Sequence, residues 1–144
     1  MSLSTDRIFF EAIKADETVM DKIGGRIYNP AIPLPDEDLT NAPIPYAIVM
    51  FEGLRNAETT KDDFESEYDY VTIGIELAAK TRDELADLSE QVRAAIRSFL
   101  ENCDDEELEP LIPYDYTFTA DRVMYDPLKP CCYTTMHYEC YTNS

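Results

Sequence analysis

At 144 residues and 44% hydrophobic, the chain has one domain's length and enough apolar matter for a real core, which argues against global disorder. Thirty acidic side chains against 12 basic ones give a formal charge of −18, a surface that repels phosphates and argues against direct sequence-specific nucleic-acid binding. No segment approaches the ~20 apolar residues that span a bilayer, and Met1 to Asp6 carries no basic-then-apolar leader, so neither membrane association nor secretion is expected.

Ser4 or Thr5 is placed to cap a first helix through about Ala15, with Ile8, Phe9, Ala12 and Ile13 on its inner face. Asp16 starts a second short turn, Glu17 to Ile23, ended by Gly24-Gly25. Arg26-Ile27-Tyr28 reads as a short strand. Asn29 to Pro45 holds Pro30, Pro33, Pro35, Pro43 and Pro45, which remove amide donors and fix φ. The stretch is expected to be an extended connection, neither helix nor central strand. Tyr46 to Phe51 is a nearly continuous apolar run, consistent with a strand covered on both faces. Gly53 to Ser66 is polar and charged, and is expected to be a long loop.

The clearest signal follows. Val71, Ile73, Ile75 and Leu77 alternate with Tyr70, Thr72, Gly74 and Glu76, the period of two of a half-buried strand. Thr81-Arg82-Asp83-Glu84 then spells a capping box. Leu85, Leu88, Val92, Ala95, Ile96 and Phe99 recur at helical spacing, predicting a helix from Arg82 to about Glu101 that covers the sheet. Asp104-Asp105-Glu106-Glu107 is an acidic break leading to Pro110 and Pro113. Two strands close the chain, about Asp115 to Met124 and Cys132 to Thr142, joined by a turn over Asp126 to Pro130. The expected fold is α+β. A single four- to five-stranded, mostly antiparallel sheet carries two helices packed on one face, all within one domain spanning 1–144.

Candidate chemistry is sparse. Cys131, Cys132, His137 and Cys140 are natural zinc ligands by type, but on one strand Cys132 and Cys140 face away from Cys131 and His137. Reduced, partly buried thiols are the expected state of the four cysteines. Neither Asp62-Asp63-Phe64-Glu65 nor the later acidic run has the ligand spacing of a calcium loop. Phosphate cradles, nucleophile elbows and metalloprotease signatures do not occur. No catalytic residue, metal or cofactor is therefore expected. Of ten tyrosines, Tyr114, Tyr116, Tyr125, Tyr133, Tyr138 and Tyr141 fall late, where aromatics with polar tips suit sheet faces and protein interfaces alike.

The order of segments resembles the tail-completion, or tail terminator, proteins of long-tailed bacteriophages and prophages. The resemblance rests on Asp6 to Asp16, Gly24-Gly25-Arg26-Ile27-Tyr28, Pro43-Ile44-Pro45-Tyr46-Ala47-Ile48-Val49, the Val71 to Leu77 strand with Thr81-Arg82-Asp83-Glu84-Leu85, and a closing strand pair ending near Tyr141. It implies a non-enzymatic virion structural protein that forms an oligomeric ring on the head-proximal end of the tail tube. Its implied partners are further copies of itself, the tail tube protein and the head connector protein. Its implied location is the bacterial host cytoplasm during assembly and then the virion tail. Subunit contacts are expected at Arg55, Lys61, Asp62, Asp63 and Phe64 of the charged arm, and at Tyr133 and Tyr141 near the C-terminus. The alternative is a monomeric intracellular binding module or small enzyme with the sheet face as its ligand platform.

Overall fold

The computed structural model describes residues 2–56 and 68–143. A 3-10 turn over Ser2–Ser4 leads into α1 (Thr5–Lys14), α2 (Glu17–Ile23) and β1 (Ile27–Tyr28). A 3-10 helix over Asp36–Asn41 precedes the long strands β2 (Tyr46–Asn56) and β3 (Tyr68–Ala79). Then come α3 (Arg82–Asn102), a 3-10 turn over Glu109–Leu111, β4 (Asp115–Ala120), β5 (Met124–Asp126) and β6 (Cys131–Asn143). Among the described residues six strands form one mixed sheet in the order β1-β2-β3-β6-β4, with β5 also paired to β6. β1 runs parallel to β2, and the other pairings are antiparallel. The α+β class is as expected, with a larger sheet, one parallel pairing and three α-helices.

Local signals set the helices. The Asp16 carboxylate accepts the Val19 amide at 2.9 Å, and Gly24 closes α2 in the left-handed region at φ 59°. Thr81 Oγ1 accepts the Glu84 amide at 3.2 Å at the start of α3. α1 begins differently from expectation. Ser4 makes no side-chain cap; the Thr5 hydroxyl instead donates to the Ser2 carbonyl at 2.6 Å. Ser2 Oγ lies 2.9 Å from Thr142 Oγ1, tying the first residues to the last strand.

The helices pack on one sheet face. Ile8, Phe9 and Ile13 of α1 and Leu85, Leu88, Val92 and Ile96 of α3 meet Val49, Ile73, Ile75, Leu77, Met136 and Tyr138 in one buried cluster. Phe99 closes the stripe partly buried against it. A smaller cluster lies on the opposite face, where Tyr46, Ile48, Ala78 and Cys131 are covered by Ile32, Ile44 and Tyr133. The first half of β2 is thus buried on both faces, as its unbroken apolar run predicts.

Three expectations need correction. The connection from Asn29 to Pro45 contains a 3-10 helix, because its prolines bracket Asp36–Asn41 and leave those amides free to bond. Gly53 to Asn56 is strand, with Gly53 opposite Thr72 and Arg55 opposite Tyr70. Cross-strand pairing there overrides a polar composition, and Asn56 Nδ2 fixes the end by donating to the Tyr68 carbonyl (3.2 Å) and the Asp69 carboxylate (2.8 Å). The rest of the predicted arm, residues 57–67, lies outside the described residues. Finally, the strand expected over Asp115 to Met124 is two strands, interrupted by a bulge at Asp121 to Val123 opposite Thr134 and Thr135. The ladder holds through it, since the Asp121 amide donates to Thr135 O at 2.9 Å and Thr134 Oγ1 donates to Asp121 O at 2.8 Å.

Candidate functional site

The sheet face away from the helices is polar, and strict alternation builds it. Tyr70, Thr72, Gly74 and Glu76 of β3 point outward beside Tyr141, Glu139, His137 and Thr135 of β6. At its centre His137 is held between two carboxylates. Nδ1 lies 3.0 Å from Glu52 Oε1 and Nε2 lies 3.0 Å from Asp121 Oδ2. Both carboxylates come from irregular backbone: Glu52 is the extra residue of a bulge between Phe51 and Gly53, and Asp121 sits in the β4–β5 bulge. Gly74, opposite His137, makes the reach possible, because a Cβ there would collide with the Glu52 carboxylate.

When protonated, the imidazole donates from both ring nitrogens, one to each carboxylate, and forms a charged clamp. Burial pulls its pKa down, but the hydrogen bond to Asp121 and the charges of Glu52 and Asp121 outweigh that, and the net shift is upward. A folded-state pKa above the unfolded value of about 6.5 means the stabilisation is fully present below that pH. It is lost as pH rises through the folded pKa. Thermal unfolding across about pH 5.5 to 8.5 should show the wild type losing its advantage over His137→Gln as pH increases. Parallel curves for the two proteins would mean that the clamp contributes no net stability.

At one end of the same face four tyrosines gather. The Tyr68 and Tyr114 rings are 5.4 Å apart, Tyr70 and Tyr141 4.9 Å, and Tyr114 and Tyr141 6.4 Å. The Arg55 guanidinium caps Tyr70 at 4.5 Å. Tyr68 and Tyr114 are 46% and 58% exposed, a large aromatic surface in water. Arg55 and Tyr141 from the predicted contact set therefore converge on one patch. Tyr133 does not join them. It lies eight residues along β6, roughly 27 Å away, at the other end of the face. Lys61, Asp62, Asp63 and Phe64 fall outside the described residues. The late tyrosines are split between the faces, for Tyr138 and Tyr116 turn inward, where the Tyr138 ring meets Tyr116, Phe9 and Phe118 at tilted or edge-on angles.

Around Tyr133 the outer face carries a groove of about 420 Å³, walled by Tyr46, Ile48, Glu76 and Lys129 and, from the 29–45 connection, Ile32, Leu34 and Leu39 among others. The Tyr46 hydroxyl donates to Glu76 at 3.0 Å, and burial followed by that carboxylate pushes its pKa up. Lys129 Nζ sits 4.8 Å over the Tyr46 ring and donates to the Leu39 carbonyl at 3.4 Å. The four thiols are free: Cys103 packs against the helix-side core just after α3, and the three on β6 divide as the alternation predicts, with Cys132 and Cys140 on the helix side and Cys131 on the other. Burial pushes the Cys140 thiol up to about 12 and also raises Cys131, so both stay protonated, a poor state for a nucleophile. Among the described residues no group of three or more His, Cys, Asp and Glu side chains is arranged to hold a metal ion. No helix among them is long and apolar enough to cross a membrane.

The position of Gly74 within a strand of branched residues is the sequence signal that marks the clamp, since an interior glycine points to a close approach from a neighbour. Glu52 and Asp121 themselves carry no such mark. No family model matches the chain, and no curated protein matches its sequence.

Proposed function

We propose that the chain is a non-enzymatic phage or prophage structural protein, a ring subunit that caps the head-proximal end of the tail tube and joins it to the head connector. The observation that carries this reading is the exposed patch of Tyr68, Tyr70, Tyr114 and Tyr141 with Arg55. Tyrosine and arginine are the residues that interfaces concentrate. The segment order shared with tail terminators supplies the class of assembly. On this reading the protein is made in the bacterial cytoplasm and ends in the virion tail, with the tube and connector proteins as its partners.

A charge of −18 per subunit opposes ring closure at low ionic strength. Screening over roughly 8–10 Å near physiological salt relieves the repulsion. Light scattering should therefore find a monomer or weak oligomer in dilute low-salt buffer and larger species as salt and concentration rise. Arg55→Ala with Tyr114→Ser should weaken assembly and leave the monomer folded. A monomer at every concentration and salt would overturn the ring reading. The groove beside Tyr133 favours the second reading in that case, a monomeric binding module or small enzyme, because its volume suits a small ligand.

A further inference from the structure

A second groove, of about 280 Å³, runs between α3 and the edge strand β4. Its floor is apolar, formed by Leu85, Phe118 and Met136, with Val123 at its rim, 40% exposed. Arginine lines it. Arg82, Ala86, Ser89, Arg93 and Arg97 recur at spacings of three and four and share one side of α3. The Arg93 guanidinium lies flat over Phe118 at 4.0 Å. Arg122 stands between Asp121 and Val123, which both wall the groove. In a chain with 30 acidic side chains, Arg82, Arg93, Arg97 and Arg122 make no ion pair among the described residues. Of the two carboxylates in the lining, Asp121 is engaged by His137 and Glu90 is exposed. β4 is an edge strand, paired with β6 on one side only.

Arg82 and Arg93 in the lining, with Arg97 on the same side of α3, make no ion pair among the described residues, and beside an apolar floor they call for an acidic occupant. The chain carries one itself. Asp104, Asp105, Glu106 and Glu107 follow the other end of α3, all exposed; the Asp105 carboxylate accepts the Glu107 amide at 2.9 Å, and Glu107 makes a weak surface contact to Arg7 at 3.7 Å. Asp104 and Asp105 border a different hollow, beside Ala12 and Phe99, and Asp104 is 11 residues beyond Arg93, about 17 Å at helical rise. The acidic turn and the groove thus belong to different surfaces of one subunit, the requirement for head-to-tail association. We infer that the α3–β4 groove receives the Asp104–Glu107 turn of a second copy of this chain. The inference rests on the ring reading and names the contact that would close such a ring. The like charge of whole subunits and this paired contact respond oppositely to salt. Association should rise to about physiological ionic strength as long-range repulsion is screened, then fall toward about 1 M as the paired charges are screened in turn.

The test is charge reversal and swap, read by light scattering of the full chain across that salt range. Arg82→Glu with Arg97→Glu leaves the Arg93–Phe118 stack intact, and Asp104→Arg with Glu106→Arg changes an exposed turn. Each pair should lower the association constant by at least about tenfold. The four substitutions combined should recover most of the loss. A wild type that assembles while the groove pair leaves assembly unchanged, or while the combined variant shows no recovery, overturns this contact and leaves the ring reading standing. A wild type that remains monomeric overturns both.

Discussion

Leu88→Ala should destabilise the fold by about 2–4 kcal/mol, and Val92→Ala by less. Leu88 is 2% exposed and Val92 fully buried, both on the face of α3 that covers the sheet. Removing the leucine forfeits its transfer energy and leaves a cavity between elements that cannot fully collapse. Valine loses fewer carbons and leaves a smaller void. Chemical denaturation of both variants gives the shifts directly. An unchanged midpoint for Leu88→Ala would mean that the stripe does not form the core.

Tyr138 should separate two effects of opposite sign. The ring is 1% exposed and touches Phe9, Tyr116 and Phe118, so Tyr138→Ala should cost about 3–5 kcal/mol. Its hydroxyl is buried without a hydrogen-bond partner among the described residues. Burial, with the neighbouring Tyr116, raises its pKa accordingly. An unsatisfied buried hydroxyl is a net cost, so Tyr138→Phe should be stabilising by about 1 kcal/mol. Loss of stability in the phenylalanine variant would contradict this account of the core. The two substitutions at one position separate ring packing from hydroxyl burial.

Where an element is specified by near neighbours, its residues announce it. Asp16 and Gly24 bound α2, Thr81 starts α3, and the branched residues of β3 alternate because one face must be dry. What stayed hidden depends on partners distant in the chain. Gly53 to Asn56 looks like loop because its outer side chains face water, and only the ladder to β3 makes it strand. The His137 clamp joins residues 85 and 16 positions away through two bulges, and a bulge is one extra residue without a composition of its own. The tyrosine patch is legible in part. Tyr70 and Tyr141 can be placed on one face by parity, whereas the approach of Tyr114 follows from its amide bonding to Tyr141 O at 3.1 Å. The arginine row on α3 was open to reading from its spacing, but its groove requires β4 alongside.

The proposed role is tested most directly on tail tubes. Tubes polymerised from purified tube protein, with and without this chain, can be viewed by electron microscopy and measured for length. The account predicts a ring at one end of each tube, with elongation stopped at that end. It also predicts loss of end binding in the variant carrying Arg55→Ala and Tyr114→Ser. Tubes that grow unchanged and carry no density at either end, beside a chain that stays monomeric, would contradict it.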